Sequence, residues 1–457
     1  MKILISAFSC QPGQGSEPGA GWGVVSQAAL RHRVVVLTDT HNRHAIRSEL
    51  DRRPLPSAHF VFLGFSPGYA HLEKNKLLGY AYYFLWQLAA FRVARRLHKK
   101  FSFDLALHAT YVNSWAPALL GRLGIPFVWC AGVKQVTPWP FYFTLSPKSR
   151  LNEILRTLSV KWIGALTGAL CIPSGAVILS SSGAGAWPKN ALVQKFPIGA
   201  LEDSEMAALG ALPFREGESL RVASIGRLLG LKGFGLGLMA FSRLLEEHPA
   251  SEYWIVGEGP ERQWLEKMAA RLGCSHRVRF MNWMPRHELF SLLAQVDVLL
   301  HPSLHEQFGY VVLEAMAAGR PVVSLAAGGS EVLADSGGGI AVQVTSPEQV
   351  VADLYKALSE LAANPEFRRQ AAIRARQAAR RNWSWGTVGL RLEAIYRETA
   401  MRLRHIELGE NPESSATFEA PRATSKRSQP LAAPPDAALD CDTVSPSECD
   451  FQPNGAI

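Results

Sequence analysis

Val298-Leu-Leu-His301-Pro-Ser-Leu-His-Glu306-Gln-Phe-Gly-Tyr-Val-Val-Leu-Glu314-Ala-Met-Ala-Ala-Gly-Arg-Pro-Val-Val-Ser324 is the stretch on which the reading of the fold turns. Val298–Leu300 is a short apolar run suited to a buried parallel strand. Positions 309–318 carry a helical pattern, and Pro321–Ser324 is strand-like again. Strand, loop, helix and strand in that order make a βαβ unit. In a doubly wound sheet of such units, ligands sit in the crevice beyond the carboxyl ends of the strands. The loop from His301 to Gly309 lies at such an end. The helix after it offers unpaired N–H groups and a positive dipole end, which suit phosphate or sugar hydroxyls.

The same alternation runs outward from this unit. Upstream, strands are expected at Arg221–Ile225, Tyr253–Val256 and Val278–Phe280, with helices over 234–247, 261–272 and 286–295. Residues 1–200 carry a separate series, with strands at Ile3–Phe8, Val34–Leu37, His59–Leu63, Asp104–Leu107 and Phe127–Cys130 and a long amphipathic segment at Leu77–His98. Two series separated by a polar, turn-rich stretch predict two doubly wound domains. The expected divisions are a first domain over 1–200, a linker over 201–218 and a second domain over 219–385. A terminal helix over 386–407 follows, able to cross back to the first domain. The Ala/Arg-rich stretch 347–381 reads as helical. From 408 to 457 the chain turns to Pro, Ser, Ala and Asp without periodicity and reads as a disordered tail.

With 457 residues and 47% apolar composition the chain can bury two ordinary cores. No solenoid or propeller period is visible. Six cysteines (Cys10, Cys130, Cys171, Cys274, Cys441 and Cys449) form no C-x-x-C pair and have no His at finger spacing. They read as reduced cytosolic thiols. The start, Met-Lys-Ile-Leu-Ile-Ser, reads as a strand running into a Gly-rich loop and not as a signal peptide. Two uncharged runs, Leu77–Phe91 and Trp162–Trp187, are expected to be buried core. The first is short for a membrane span, and the second is broken by Pro173 and many Gly and Ser.

Net charge is +9, but from His405 onward nine acids face three bases, so residues 1–404 carry +15. That surplus favours anionic partners: a nucleotide diphosphate, an anionic membrane face or nucleic acid. No nucleic-acid recognition module accompanies it. A basic solvated surface is the plainer account. The segment Tyr80–Lys100, basic and aromatic, reads either as a docking stretch for an anionic membrane or as a buried helix with a basic outer face.

Glu306 lies in the loop and Glu314 more than a turn inside the helix, so the pair can grip different parts of one extended ligand. A carboxylate accepts two hydroxyls, which makes sugar or ribose diols natural partners. Taken singly, Glu306 could be a helix-start carboxylate meeting the dipole, and Glu314 an ordinary surface acid. Taken together, Glu306 through Val323 resembles the E-x7-E motif of glycosyltransferase family 4, and the likeness runs on through Gly328-Gly329-Ser330-Glu331. Ile225-Gly226-Arg227-Leu228 with Lys232-Gly233 is similar to that family's G-R-L…K-G segment. Val256-Gly257-Glu258-Gly259-Pro260 and the strand Val278-Arg-Phe-Met-Asn-Trp add further matches over 220–345.

The resemblance implies the GT-B fold, retention of anomeric configuration and no need of a metal or cofactor. It implies that Arg227 and Lys232 hold the pyrophosphate and stabilise the growing charge. Glu314 would bind the nucleotide ribose and Glu306 the donor sugar, with amides of Phe308, Gly309 and Tyr310 completing the cradle. Gln307 departs from the Gly of many relatives and bears on donor identity.

In the first domain the loop Gln11–Gly23 joins strand to helix. Its glycines let backbone approach a phosphate or sugar closely. It holds no G-x-G-x-x-G, and the formal match at Gly235–Ala240 comes too long after its strand. Gly15-Ser-Glu-Pro-Gly19-Ala-Gly21-Trp22 resembles the branch of family 4 linked to exopolysaccharide synthesis, in which this loop, with Gly19 and Gly21, faces acceptor and donor diphosphate. By the same resemblance His108, after the fourth strand, lies close to the donor sugar; a packed His at a strand end is the other account. Lys134 and Gln135 fall where that branch carries a Gly-rich run, so the acceptor side departs from the pattern.

The expectation is a metal-independent, hexosyltransferase-type enzyme that moves a sugar from a nucleotide-diphosphate donor to a glycan or lipid-linked acceptor. It would be cytoplasmic, with peripheral contact at the inner face of the plasma membrane and no nucleic-acid partner. By resemblance the reaction is a front-face substitution in which the leaving phosphate helps deprotonate the acceptor. Catalysis then falls to His108, Glu306, Arg227 and Lys232. The one Asp-x-Asp, at Asp440 to Asp442, sits in the tail. Two rivals share the nucleotide contacts: an epimerase or hydrolase acting without an acceptor, and a non-catalytic scaffold that binds nucleotide sugar.

Overall fold

The computed structural model describes residues 1–407 except 67–68, 73–74, 112–114, 133–135, 182–186, 188, 190, 216 and 218. Lys134 and Gln135 lie outside the described residues, as do the tail 408–457, with Cys441 and Cys449, and its Asp440–Asp442 triplet.

Seven strands form the first sheet: β1 (Lys2–Ser6), β2 (Arg33–Asp39), β3 (Ala58–Leu63), β4 (Leu105–His108), β5 (Phe127–Gly132), β6 (Val177–Ser180) and β7 (Leu192–Lys195). Their spatial order is β3-β2-β1-β4-β5-β6-β7. Six form the second: β8 (Arg221–Ile225), β9 (Glu252–Val256), β10 (Val278–Met281), β11 (Val298–His301), β12 (Val322–Leu325) and β13 (Gly339–Val342), in the order β10-β9-β8-β11-β12-β13. Both sheets pair in parallel throughout. Buried on both faces by helices, the central strands are the near-continuous apolar runs seen in the sequence, while β3, β7 and β10 at the edges are partly exposed. In each sheet the winding reverses once, between β1 and β4 and between β8 and β11, and those two points carry the crevices.

The expected strands are all present. β6, β7 and β13 are additional. β6 lies inside the uncharged run 162–187, after Pro173 and Gly175, where four residues are too few for a period to separate strand from helix. β7 is short and half-exposed. The stretch 347–381 is two helices, Pro347–Ala363 and Pro365–Asn382, because Pro365 cannot continue the first and instead opens the second, capped by Asn364. The polar stretch after Ala200 is not only turns: Asp203–Gly210 is a helix opened by a reciprocal Glu202–Glu205 capping box.

The helix Trp385–Glu407 packs on the helix Ser16–Ala29, with Trp385 against Gly23 and His32 paired to Glu393. One apolar cluster therefore runs from β1 and β2 through Ala200, Leu201 and Phe308 to Trp383 and Tyr396, joining both sheets.

The expectation that Leu77–Phe91 and Trp162–Trp187 are buried core is overturned for their helical parts. In the helix Lys76–Phe101, Tyr82, Tyr83, Trp86 and Ala90 are buried, but Leu77, Leu78, Phe84 and Leu85 face outward. In the helix Pro147–Cys171 the large apolar residues Leu151, Leu155, Leu158, Trp162, Leu166 and Leu170 are exposed, while Val160 and Cys171 are buried. Periodicity shows which residues share a face. It does not say which face turns inward.

Candidate active site

At the β8/β11 switch point, the loop after β8 is tied to the loop after β9: the Gly226 amide donates to Val256 O at 3.0 Å and the Leu228 amide to Glu258 O at 2.8 Å. Between these anchors Arg227 is exposed and, among the described residues, its side chain makes no hydrogen bond or ion pair. Lys232 ends the single turn Gly230–Lys232, which the Leu304 amide holds by donating to Leu231 O at 2.9 Å. Lys232 Nζ thereby reaches Glu306 Oε2 at 2.5 Å, and His301 Nε2 lies 2.9 Å from the same oxygen. Burial disfavours the Glu306 charge, yet Lys232 and the His301 bond outweigh it and hold its carboxyl well below the usual range. Burial lowers His301 in turn, against the pull of Glu306. His305, beside them, is pushed down to about 4 by burial and then by the Arg156 charge.

Two glycines shape this loop. Gly309 takes φ +92° ahead of the helix Tyr310–Ala317, a conformation that an L side chain rarely adopts. Gly328, at φ +66°, carries its chain so close that an added Cβ would lie 2.0 Å from Glu306 O. Phe308 is a packed ring, wedged against Gly199 and Trp383. Its side chain is buried and that of Tyr310, 4.8 Å from it, half-buried, which leaves their backbone as the main part that can meet a ligand.

Glu314 is placed apart from this cluster. It is buried, with Oε1 accepting from Arg286 Nε at 2.7 Å, and Arg286 also pairs with Glu205 of the helix Asp203–Gly210. Burial raises the Glu314 carboxyl, opposed by Arg286. Sequence reasoning missed Arg286. Its one available signal was its position at the start of the helix that follows β10. His301 was in view at the strand end but had no role assigned.

At the β1/β4 switch point stands His108, the last residue of β4. It is 1% exposed, with Nε2 3.2 Å from Tyr83 Oη. Burial lowers it to about 3, so the ring is neutral. Tyr83 stacks on Tyr111 at 3.6 Å between ring centres, and Tyr111 itself holds φ +63°. Gly19 and Gly21 lie inside the helix Ser16–Ala29, where a Cβ would strike Gln14 O and Ser9 O. Their lack of a side chain lets the loop fold onto its own helix. Also at this end, and unforeseen, Asp39 is buried and accepts from Tyr82 Oη at 2.8 Å, with His41 Nδ1 2.7 Å away.

Contacts across the crevice bring the two sheets' loops together. Lys195 pairs with Glu331 at 3.0 Å, and Ser149 Oγ donates to Glu261 at 2.7 Å. Among the described residues, no three His, Cys, Asp or Glu side chains converge as a metal site.

Residues 213–378 match the family of glycosyl transferases group 1. A D-inositol 3-phosphate glycosyltransferase of Corynebacterium urealyticum is 36% identical over 184 residues, 38% of this chain and 42% of the relative. A lipopolysaccharide core biosynthesis glycosyltransferase, LpsE of Rhizobium meliloti, is 39% identical over 140 residues, 29% of this chain and 39% of its own. The chain thus spans about two fifths of the length of the curated relatives it matches. Among solved structures, the sucrose-phosphate synthase of Thermosynechococcus elongatus superposes with a TM-score of 0.56 at 16% identity, covering 88% of this chain and 99% of that one. Anabaena HepE, in complex with UDP and glucose, gives 0.51 at 18% identity over 87% and 100%. The fold is GT-B.

Proposed function

We propose that the chain is a retaining glycosyltransferase of family 4 that takes a sugar from a nucleotide diphosphate and passes it to a glycan or lipid-linked acceptor. The observation that carries this reading is the Lys232–Glu306–His301 cluster at the β8/β11 crevice, inside the span that matches group 1 glycosyl transferases. A carboxylate held ionised by two neighbours is a fixed acceptor for sugar hydroxyls, and Arg227, on the segment after β8 that also carries Lys232, is a cation without a partner among the described residues.

In this reading Arg227 and Lys232 take the diphosphate, Glu306 the sugar, and Glu314 offers the ribose its second oxygen while Arg286 keeps the first. Backbone amides of Phe308, Gly309 and Tyr310 complete the donor cradle, and the loop ending at Gly15, with the first turns of the helix Ser16–Ala29, borders the diphosphate from the opposite sheet. The bond from the anomeric carbon to the diphosphate oxygen breaks as the bond to the acceptor oxygen forms on the same face. The acceptor's proton passes to the departing phosphate. The cations stabilise the charge that grows there. His108, neutral and enclosed, acts here by shape and by its bond to Tyr83, not as a proton carrier. We assign the enzyme a hexosyl donor, no metal, a role in exopolysaccharide or other surface-polysaccharide synthesis, and a cytoplasmic site at the inner membrane face, approached through the basic helix Lys76–Phe101.

The test is donor turnover by the purified chain, beginning with UDP-glucose because HepE, of the same fold, holds UDP and glucose. Nucleotide release is expected to fall by about two to three orders of magnitude in Lys232→Ala. Equal release with and without acceptor would mark a hydrolase. Binding of every donor without turnover would mark a scaffold.

A further inference from the structure

The helix Pro147–Cys171 is built inside out for a globular protein. Its inward face carries Glu153, Val160, Gly164, Thr167, Gly168 and Cys171, mostly small or polar. Its outward face carries Leu151, Leu155, Leu158, Trp162, Leu166 and Leu170, between 48% and 68% exposed. Three- and four-residue spacing sets these in one continuous stripe along a helix of roughly 37 Å. A surface helix of an isolated domain turns such a stripe to the core, so a second apolar phase must cover this one.

We infer that this stripe lies in the interface of an anionic lipid bilayer, with the helix parallel to the membrane plane. The helix is long and apolar enough to cross a membrane. It does not cross, because its other face is fixed to the domain: Thr167 Oγ1 donates to Trp115 O at 2.7 Å and Glu153 accepts from Thr137 at 2.5 Å.

Charge selects the occupant. The helix carries Lys148, Arg150, Arg156 and Lys161 against a single acid, Glu153, which is buried and paired with Arg156. A second copy packed face to face would bring these cations onto one another, whereas acidic headgroups complement them. Aromatic rings sit beside the cations in the pattern of a membrane–water boundary: Lys161 lies 5.5 Å from the Trp162 ring and Arg150 5.4 Å from Phe143. Leu77, Leu78, Phe84 and Leu85 of the helix Lys76–Phe101 also face outward, and both helices pack on the turn Leu119–Leu123. Tyr80 of that helix meets Trp115 at 4.6 Å, the residue to which Thr167 is bonded.

The first turn of the docked helix touches the donor side. Ser146 and Ser149 bond Glu261, and Ser149 abuts Gly230, which opens the turn ending in Lys232. Bilayer and cleft are therefore neighbours. Resting on the transferase reading, this makes the acceptor a molecule presented at the lipid surface.

Flotation of the full chain with phosphatidylcholine vesicles, with and without phosphatidylglycerol, tests the docking. The wild type is expected to float with the anionic vesicles, and Leu158→Gln/Leu166→Gln to bind at least about tenfold less with an unchanged melting temperature. The vesicle-induced blue shift of tryptophan emission should shrink in Trp162→Phe. Flotation of the double variant like the wild type overturns the inference. So does a wild type that stays unbound and elutes as a dimer the variant dissolves. Equal binding to both vesicle types overturns the choice of an anionic surface. Turnover on a water-soluble acceptor is expected to be the same in wild type and variant. Docking without turnover of any donor would retain this surface and remove the transferase.

Discussion

Arg286 serves two acids at once, and its removal separates structure from ligand binding. Glu314 is 4% exposed, so Arg286→Ala leaves a buried carboxylate without its cation. A loss of about 3–5 kcal/mol is expected in urea unfolding, partly relieved by adding Glu314→Gln, which removes the stranded charge. A loss below about 1 kcal/mol would mean that water or another donor already satisfies Glu314. His108 makes the complementary case, a base kept neutral. With its folded pKa lowered to about 3 from 6.5, the unfolded chain takes up a proton that the folded chain refuses. Its contribution to stability is whole above 6.5 and is lost as pH falls from 6.5 toward 3, by about 1.4 kcal/mol per pH unit. His108→Asn should therefore flatten the decline of unfolding free energy between neutral pH and about pH 5. Parallel declines would show that His108 is hydrated and titrates freely.

Between elements, the Glu306 loop depends on a backbone approach that no side chain permits. Gly328→Ala combines a φ of +66° with a Cβ 2.0 Å from Glu306 O, so the loop after β12 or the Glu306 loop must move. The expected cost is about 1–3 kcal/mol, together with a higher KM for donor. Unchanged donor binding would show that Glu306 is held by Lys232 and His301 alone. How much of this was legible varied with the kind of interaction. The helix Phe234–Glu247 and strand Arg221–Ile225 are legible because each is bounded by glycine or a polar turn, the helix by its period and the strand as a short, mostly apolar run. Lys232 and Glu306 could be proposed together because both lie in motifs that resemble family 4, and the structure puts them after strands that neighbour each other at the switch point. Arg286 could not be tied to Glu314, 28 residues away on another helix, since no local pattern records that contact. The uncharged run Trp162–Trp187 reads as core, yet the helix Pro147–Cys171, which takes in its first part, turns Trp162, Leu166 and Leu170 outward, an orientation that no local pattern records. Gly19 and Gly21 invited a ligand-approach reading, although the close partner is the loop of the same chain.

At the scale of the whole molecule, the last described helix joins two sheets that could otherwise fold apart. The Trp385 amide donates to Leu201 O and the Leu201 amide to Trp383 O, so the chain leaves the second sheet beside the segment by which it entered. Beyond that clasp Trp385, Val388, Leu392, Ile395 and Tyr396 are buried, with Trp385 against Gly23 of the first domain. At roughly 2 kcal/mol for each side chain, their burial contributes about 10 kcal/mol, comparable to the entire net stability of a domain. A chain ending after residue 383 is thus expected to lose the first domain's fold while the second keeps its own core. In calorimetry the full chain should unfold in one coupled transition. The shortened chain should retain only a smaller transition, with first-domain amides open to rapid hydrogen exchange. Full protection in the shortened chain would place the first domain's stability in its own sheet and reduce the crossing helix to a tether. Loss of protection would make that helix the element through which a change at Phe308, packed on Trp383, is felt at Gly23 and the loop before it.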